Sequence, residues 1–516
     1  MPTQSESRIH KSIMNAKVNL VFYFLILGIT FFSRKIFLDT LGPQFIGLTG
    51  ALGNILGFLN LAELGIGASV SFALYKPLQE GSREAITDIV SVFGYYYRFV
   101  GKIILAIGLG ISLFFPYIFR NEGFSLWLIY FTFFSFLISN LIGYFVNFRQ
   151  VLLSADQRNY VVTVYSQTAN IIRLALQIYI AVTLANLYLW VAIELIFGIV
   201  YALILNWRIR VTYPWLHATI KRGQSVRKHY PWILTKTKQI FVHKIKDFVI
   251  QQCDQIFIFV FVSLQTVAYY GNYIMVITKV QQLFNQVLDG MFASVGNLVA
   301  EGNPVTIKRV FWELLCLRYF IGGFVVFSVS QLIQPFIILW LGHQYLLSEL
   351  VLTIILINTY IILTRGVVDM FNNAYGNYAD TWSAWAEGII FIVATVILGW
   401  LYGLPGILLG KVISQIPIIV IWKPLYLYRQ GFHAKIRNYW LGVLRYYAIF
   451  AVCFFIAYRL KQFIPFSPYE NFSGWIGYSM LLCVGFLMVF IPSIYFFAPG
   501  GKSFAQRITI RFKRFK

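Results

Sequence analysis

Apolar runs alternate with short polar joints along the whole chain. Their approximate cores are 17–38, 45–74, 97–118, 124–147, 160–182, 186–206, 245–263, 267–297, 316–340, 350–371, 382–401, 404–422, 439–458 and 475–497. Each is near the ~20 residues that carry a helix across ~30 Å of hydrocarbon. Buried strands are far shorter than this. The pattern predicts an all-α polytopic membrane protein of about 14 transmembrane helices.

Composition agrees. Of 516 residues, 59% are hydrophobic and only 12% charged, and the mean hydropathy is +0.71. Soluble domains carry about a quarter charged residues. No polar stretch is long enough to hold a separate soluble core. The formal net charge of +23 reads as topology, with no nucleic acid implied, because Lys and Arg gather in alternate joints. Arg8, Lys11 and Lys17 precede the first run, and Lys76 and Arg83 follow the second. Arg149 and Arg158 lie between the fourth and fifth, and the joint after the sixth, from Trp207 to Lys246, is densely basic. Lys423, Arg429, Lys435 and Arg437 follow the twelfth, and the chain ends KSFAQRITIRFKRFK. All fall on one side if the span count is even. The opposite joints (LGPQF, LANLY, SLQTVAYY, YGLPG) are almost uncharged, Lys461 being a mild exception. Both termini are therefore expected on the cytoplasmic side. The polar, basic N-terminus leads into a full-length span with no small-residue cleavage pattern, so a retained first helix is expected. Cys253, Cys316, Cys453 and Cys483 have no metal-type spacing and read as reduced structural thiols.

The two halves repeat weakly but in register. GASV at Gly67 matches FASV at Phe292, and Arg98-Phe99 matches Arg318-Tyr319. Asn159-Tyr160 matches Asn377-Tyr378, and Trp207 with Tyr213 matches Trp422 with Tyr428. The repeat predicts two six-helix lobes around a central cavity, plus two C-terminal helices. The expected organisation is an N-lobe at 1–207, a basic cytoplasmic linker at 208–244, a C-lobe at 245–430, and helices 13 and 14 with a basic tail at 431–516.

The run SRKIFLDTLGPQFIGLTGALGNILGFLNLAELGIGASVSFALYKPL resembles the start of bacterial polysaccharide-biosynthesis membrane proteins. These form the O-antigen-flippase-like oligosaccharide branch of the multidrug/oligosaccharidyl-lipid/polysaccharide exporter superfamily. LSADQRNY at Leu153 is similar to their loop between the fourth and fifth helices, and CDQIFIF at Cys253 to the helix opening their second lobe. Asp254 stands at that helix's usual acidic position. The resemblance implies a non-enzymatic flippase in the bacterial inner (plasma) membrane. It would move undecaprenyl-diphosphate-linked oligosaccharide from the cytoplasmic to the outer leaflet by secondary transport. The bilayer, the lipid-linked substrate and glycan-assembly proteins are the implied partners.

An ionisable side chain inside a span costs several kcal/mol if it faces lipid, so it faces a cavity or a partner. Arg34, Glu63, Arg173, Asp254, Lys279, Arg365, Asp369 and Glu387 sit inside the predicted spans. At 1.5 Å per residue, Arg173 lies roughly 20 Å in from the basic end of its helix, beyond easy snorkelling. Arg98, Lys102 and Arg318 lie nearer the ends and read as interfacial anchors, and Lys35 does so near the outer end. Arg34, Arg173, Lys279 and Arg365 are candidate cavity cations for an anionic diphosphate, since the Arg fork binds phosphate bidentately. The alternative for each is an intramembrane ion pair that only holds helices together. Glu63, beside the small residues GIGAS, is the candidate counter-charge that positions a cavity arginine.

Asp254, Asp369 and Glu387, with Asn372, Asn373 and Thr381 nearby, are candidate coupling groups for Na⁺ or H⁺. An ion pair with Arg365 explains the acids equally well. No metal site or other cofactor is expected, and no nucleotide-binding glycine loop is present. An exporter of small amphipathic cations on the same fold would need an acidic cavity. A membrane enzyme of glycan assembly would need a large external loop or a cytoplasmic cluster of acids or His. An interaction scaffold would leave the intramembrane charges unexplained.

Overall fold

The computed structural model describes residues 8–59, 66–120, 123–233, 253–289, 292–377 and 380–514. Among them ten helices are long and apolar enough to cross a membrane. The large apolar side chains left outward, such as Leu203, Trp400 and Met488, suit a lipid surround. The chain divides into two compact units, 1–268 and 269–516.

The first unit opens with α1 (Arg8–Leu41) and α2 (Pro43–Leu59). Gly42 joins them at φ +85°, a conformation glycine takes without strain, and Pro43 starts the next helix. Then follow α3 (Ile66–Glu80), α4 (Arg83–Ser112), α5 (Phe115–Ile118), α6 (Leu126–Phe145), α7 (Gln150–Ala155), α8 (Asn159–Thr183), α9 (Leu187–Thr212) and the short α10 (Ile220–Val226). The helical stretch α11 (253–261) and the first turn of α12 (Leu264–Asp289) complete it. Ser82, Ser125 and Asn186 cap α4, α6 and α9 by accepting from backbone N–H groups three residues on. Helix α1 packs on α8, α8 on α9, α9 on α6, and α6 on α4 and α2. Phe45, Phe93, Phe115 and Phe133 are fully enclosed.

Two elements depart from the sequence reading. Helix α4 starts at Arg83, well before the expected 97, because its first turns are polar and carry Glu84 and Asp88. Those acids hold the basic linker. Arg222 meets Asp88 at 2.5 Å, Thr219 N–H donates to Ser91 Oγ, and Arg227 reaches Tyr95 by its Nη1 and its guanidinium face. Gly223 lies so close to the Ser91 carbonyl that a Cβ there would collide. The first part of the linker is thus a strap bound to α4. Helix α11 belongs with the first unit: Asn54 Nδ2 donates to Gln255 Oε1 (2.6 Å), and Phe259 stacks on Phe119.

The second unit contains the rest of α12, then α13 (Phe292–Ala300), α14 (Pro304–Trp340), α15 (Glu349–Ala374), α16 (Thr381–Tyr402) and α17 (Leu404–Gly431). It ends with α18 (Arg437–Leu460), α19 (Phe472–Phe497) and α20 (Gly501–Arg514). The matched motifs GASV and FASV both lie in the first turns of a helix, α3 and α13. Helices α16 and α17 form a tight hairpin, since a Cβ at Gly406 or Gly410 would meet the Leu398 carbonyl or Thr395. Helices α18 and α19 dock on α14 through stacked rings, Tyr319 on Tyr446 and Phe327 on Phe486. The four cysteines are free thiols.

Candidate functional site: charges inside the helical units

Arg173 on α8 pairs with Glu194 on α9 through Nη1 and Oε1, and its Nη2 donates to Asn170 Oδ1 (2.5 Å). Buried Gln177 donates to the Trp190 carbonyl (3.1 Å) and to Glu194 Oε2 (3.2 Å). Asn170, Arg173 and Gln177 share one face of α8 at i, i+3, i+7 spacing. Glu194 was absent from the sequence candidates, yet a signal existed. Residues 173 and 194 lie 12 and 9 residues from Ala185 in the α8–α9 turn, so an antiparallel hairpin brings them within about one helical turn of each other, which the long Arg and Glu side chains span.

Arg34 lies on α1, and its Nη2 donates to the Ala268 carbonyl (3.1 Å). Lys35 is exposed. Glu63 lies outside the described residues. Asp254 is buried on α11. LSADQRNY is a structural knot. Tyr213 donates to Asp156 Oδ2 (2.8 Å), Arg158 pairs with the same oxygen (3.0 Å), and Asn15 bonds Gln157 and Tyr160. Burial and then the Asp156 carboxylate hold the Tyr213 phenol well above its usual value, so it stays a donor.

In the second unit Lys279 is half-buried on α12. Arg365 and Asp369 pair at 3.8 Å one turn apart on α15. Arg365 lines a narrow crevice with Tyr319, Thr364, Tyr439 and Tyr447. Ile361, Val420 and Tyr447 also wall a cavity of about 470 Å³, with Tyr360, Phe450 and Phe454 along it and Gln331 and Glu349 among its polar members. Glu387 on α16 is 1% exposed. Asn372 is taken up in packing, donating to the Lys423 carbonyl and accepting from Asn377. Asn373 is exposed, and the Thr381 side chain lies outside those described. Among the described residues no three His, Cys, Asp or Glu side chains converge on one point.

Arg318 corrects its sequence reading. It is no interfacial anchor: at 5% exposure it lies against Gly366 of α15, where only a missing side chain leaves room for the guanidinium. Its repeat partner Arg98 and nearby Lys102 are exposed, but α4 runs from Arg83 to Ser112, so Arg98 stands at mid-helix and not near an end. Two further acids were unforeseen. Buried Asp380, before α16, accepts from Lys423 Nζ (2.8 Å), Trp422 Nε1 (3.2 Å) and Ser383 Oγ (3.0 Å). Buried Glu313 on α14 pairs with Arg507 of α20 at 2.9 Å.

No protein-family profile matches the chain, and no curated protein does. Solved structures do. One is lipid II flippase MurJ in an inward closed conformation, at 16% identity and TM-score 0.62, covering 93% of this chain and 99% of that one. Another is a multidrug resistance MATE family transporter of the MOP superfamily, inward-facing, at 13% identity and TM-score 0.56, covering 81% of this chain and 98% of that one. At such identities the likeness speaks for the fold, and the fold is that of an all-α polytopic membrane protein.

Proposed function

We propose that this protein is a flippase carrying undecaprenyl-diphosphate-linked oligosaccharide from the cytoplasmic to the outer leaflet of a bacterial plasma membrane. Both termini are cytoplasmic in this reading, and transport runs by alternating access. The observation that carries it is the likeness to a lipid II flippase over 93% of the chain. The resemblance of the first helices to oligosaccharide flippases narrows the substrate class. Cations within the helical units supply the chemistry. Arg34, Lys279 and Arg365 take over phosphate charge that water releases, and their donors replace its hydrogen bonds. Arg173 serves through its pair with Glu194. Asp254, Asp369 and Glu387 carry the coupling step with Na⁺ or H⁺, and Glu63 counters a cavity arginine.

Export of amphipathic cations is the second reading. It is favoured by the MATE likeness and by the buried carboxylates Asp254 and Glu387. Complementation separates the two. In cells lacking their own oligosaccharide flippase, expression restores surface-glycan display and gives no resistance to cationic drugs. Drug resistance without glycan display overturns the flippase reading.

A further inference from the structure

The basic C-terminal helix takes no part in that function. Its sequence, GKSFAQRITIRFKR, holds Lys502, Arg507, Arg511, Lys513 and Arg514 and no acid. At 100° per residue, positions 504, 505, 508 and 512 form one apolar stripe. Positions 502 and 513 flank it on one side, and 507, 511 and 514 on the other. A helix wholly in water has no need of the stripe, and one packed wholly inside the protein has no room for the flanks. An apolar stripe with basic flanks is the pattern of a helix lying in a membrane interface.

The structure fixes where this helix begins. Only Ala498, Pro499 and Gly500 separate it from the end of α19, itself long and apolar enough to cross the membrane. Tyr446 Oη donates to the Pro499 carbonyl (2.5 Å). Gly500, at φ +79°, presses its backbone on the Trp312 carbonyl, where a Cβ would collide. The chain is thus turned at a fixed point beside the end of a helix long and apolar enough to span a membrane. Arg507 faces inward to buried Glu313, which ties the helix to α14. Lys502 is exposed, and so are Lys308 and Arg309 in the first turns of α14.

We propose that α20 lies in the membrane interface and binds anionic phospholipid headgroups through Lys502, Arg511, Lys513 and Arg514, with Arg507 as its internal tether. The proposal rests on the membrane fold and not on the identity of the transported substrate, so either can fail alone. Basic residues near an anionic surface each add roughly fivefold to its occupancy at low salt.

The test uses the whole protein in nanodiscs of phosphatidylcholine, with or without phosphatidylglycerol. Hydrogen exchange of the 501–514 segment is expected to slow by roughly tenfold or more when phosphatidylglycerol is present. High salt should remove most of that difference. Replacing Lys502, Arg511, Lys513 and Arg514 together by Gln, with Arg507 kept, should abolish it. Native mass spectrometry should show phosphatidylglycerol retained over phosphatidylcholine by the unmodified chain and lost from the variant. Equal exchange of the unmodified chain in both discs overturns the proposal. So does protection that appears only in the presence of an acidic protein.

Discussion

Arg173 and Glu194 form an ion pair between α8 and α9, and Gln177 links the same carboxylate to the Trp190 carbonyl. That guanidinium, ten residues or more from either end of α8, therefore sits beside its counter-charge. Removing one partner should leave the other charge poorly solvated. With each side chain about a quarter exposed, Arg173→Gln is expected to cost about 2 kcal/mol. The double variant Arg173→Gln with Glu194→Gln should recover most of it. Thermal unfolding of the purified protein checks both. If the pair only holds the helices, the double variant keeps transport. If the pair also presents Arg173 to substrate, it regains abundance but not transport.

The second prediction concerns Asp380. This buried carboxylate gathers Lys423, Trp422 and Ser383 at the start of α16. Asp380→Ala leaves the part-exposed Lys423 ammonium and the Trp422 N–H without their acceptor and should destabilise by about 2 kcal/mol, whereas Asp380→Asn keeps an acceptor and should cost less. The melting temperatures should rank native, Asn, Ala. Lys423→Met paired with Asp380→Asn should come back toward native.

The third concerns the α16–α17 hairpin. A Cβ at position 410 would lie 2.6 Å from the Thr395 nitrogen and 2.7 Å from its Cα, so backbone must yield. Gly410→Ala should cost at least ~2 kcal/mol. At Gly366 the obstacle is the far end of the Arg318 side chain, which can shift. Gly366→Ala should therefore cost less, and a larger loss there than at 410 would show that Arg318 is held rigidly.

Much of this fold was legible because lipid imposes a strict pattern of span-length apolar runs. Of the four short matches between the halves, GASV and FASV both open a helix, whereas Arg98 is exposed and Arg318 buried. Pairings were harder to see. Glu313 and Asp380 went unread because a single acid is visible in sequence while its partner is distant, in the case of Glu313 nearly 200 residues away on α20; Glu194 is only 21 residues from Arg173 and shows once the α8–α9 hairpin is folded back. Arg318 was misread because depth was judged along the helix axis, whereas its burial comes from a glycine on the neighbouring helix. The linker's charge was read as topology alone, although Asp88 and Tyr95 give part of it a specific seat.

The last prediction addresses coupling. Glu387 is almost wholly enclosed on α16, and Asp369 lies on α15 in an i, i+4 pair with Arg365. A coupling carboxylate must change its protonation or cation occupancy during the cycle, and a purely structural one must not. Glu387→Gln preserves size and removes both options. If Glu387 couples, transport by the native protein depends on pH or Na⁺, and the Gln variant loses that dependence at normal abundance. Asp369→Asn removes a coupling carboxylate and the Arg365–Asp369 pair together, so it should lower ion dependence and glycan display alike. Glycan display against pH and Na⁺, normalised to membrane protein level, measures all three. Unchanged ion dependence in Glu387→Gln would assign that carboxylate to the packing of α16 and leave Asp254 and Asp369 as the coupling candidates, to be tested by Asp254→Asn and Asp369→Asn in the same assay.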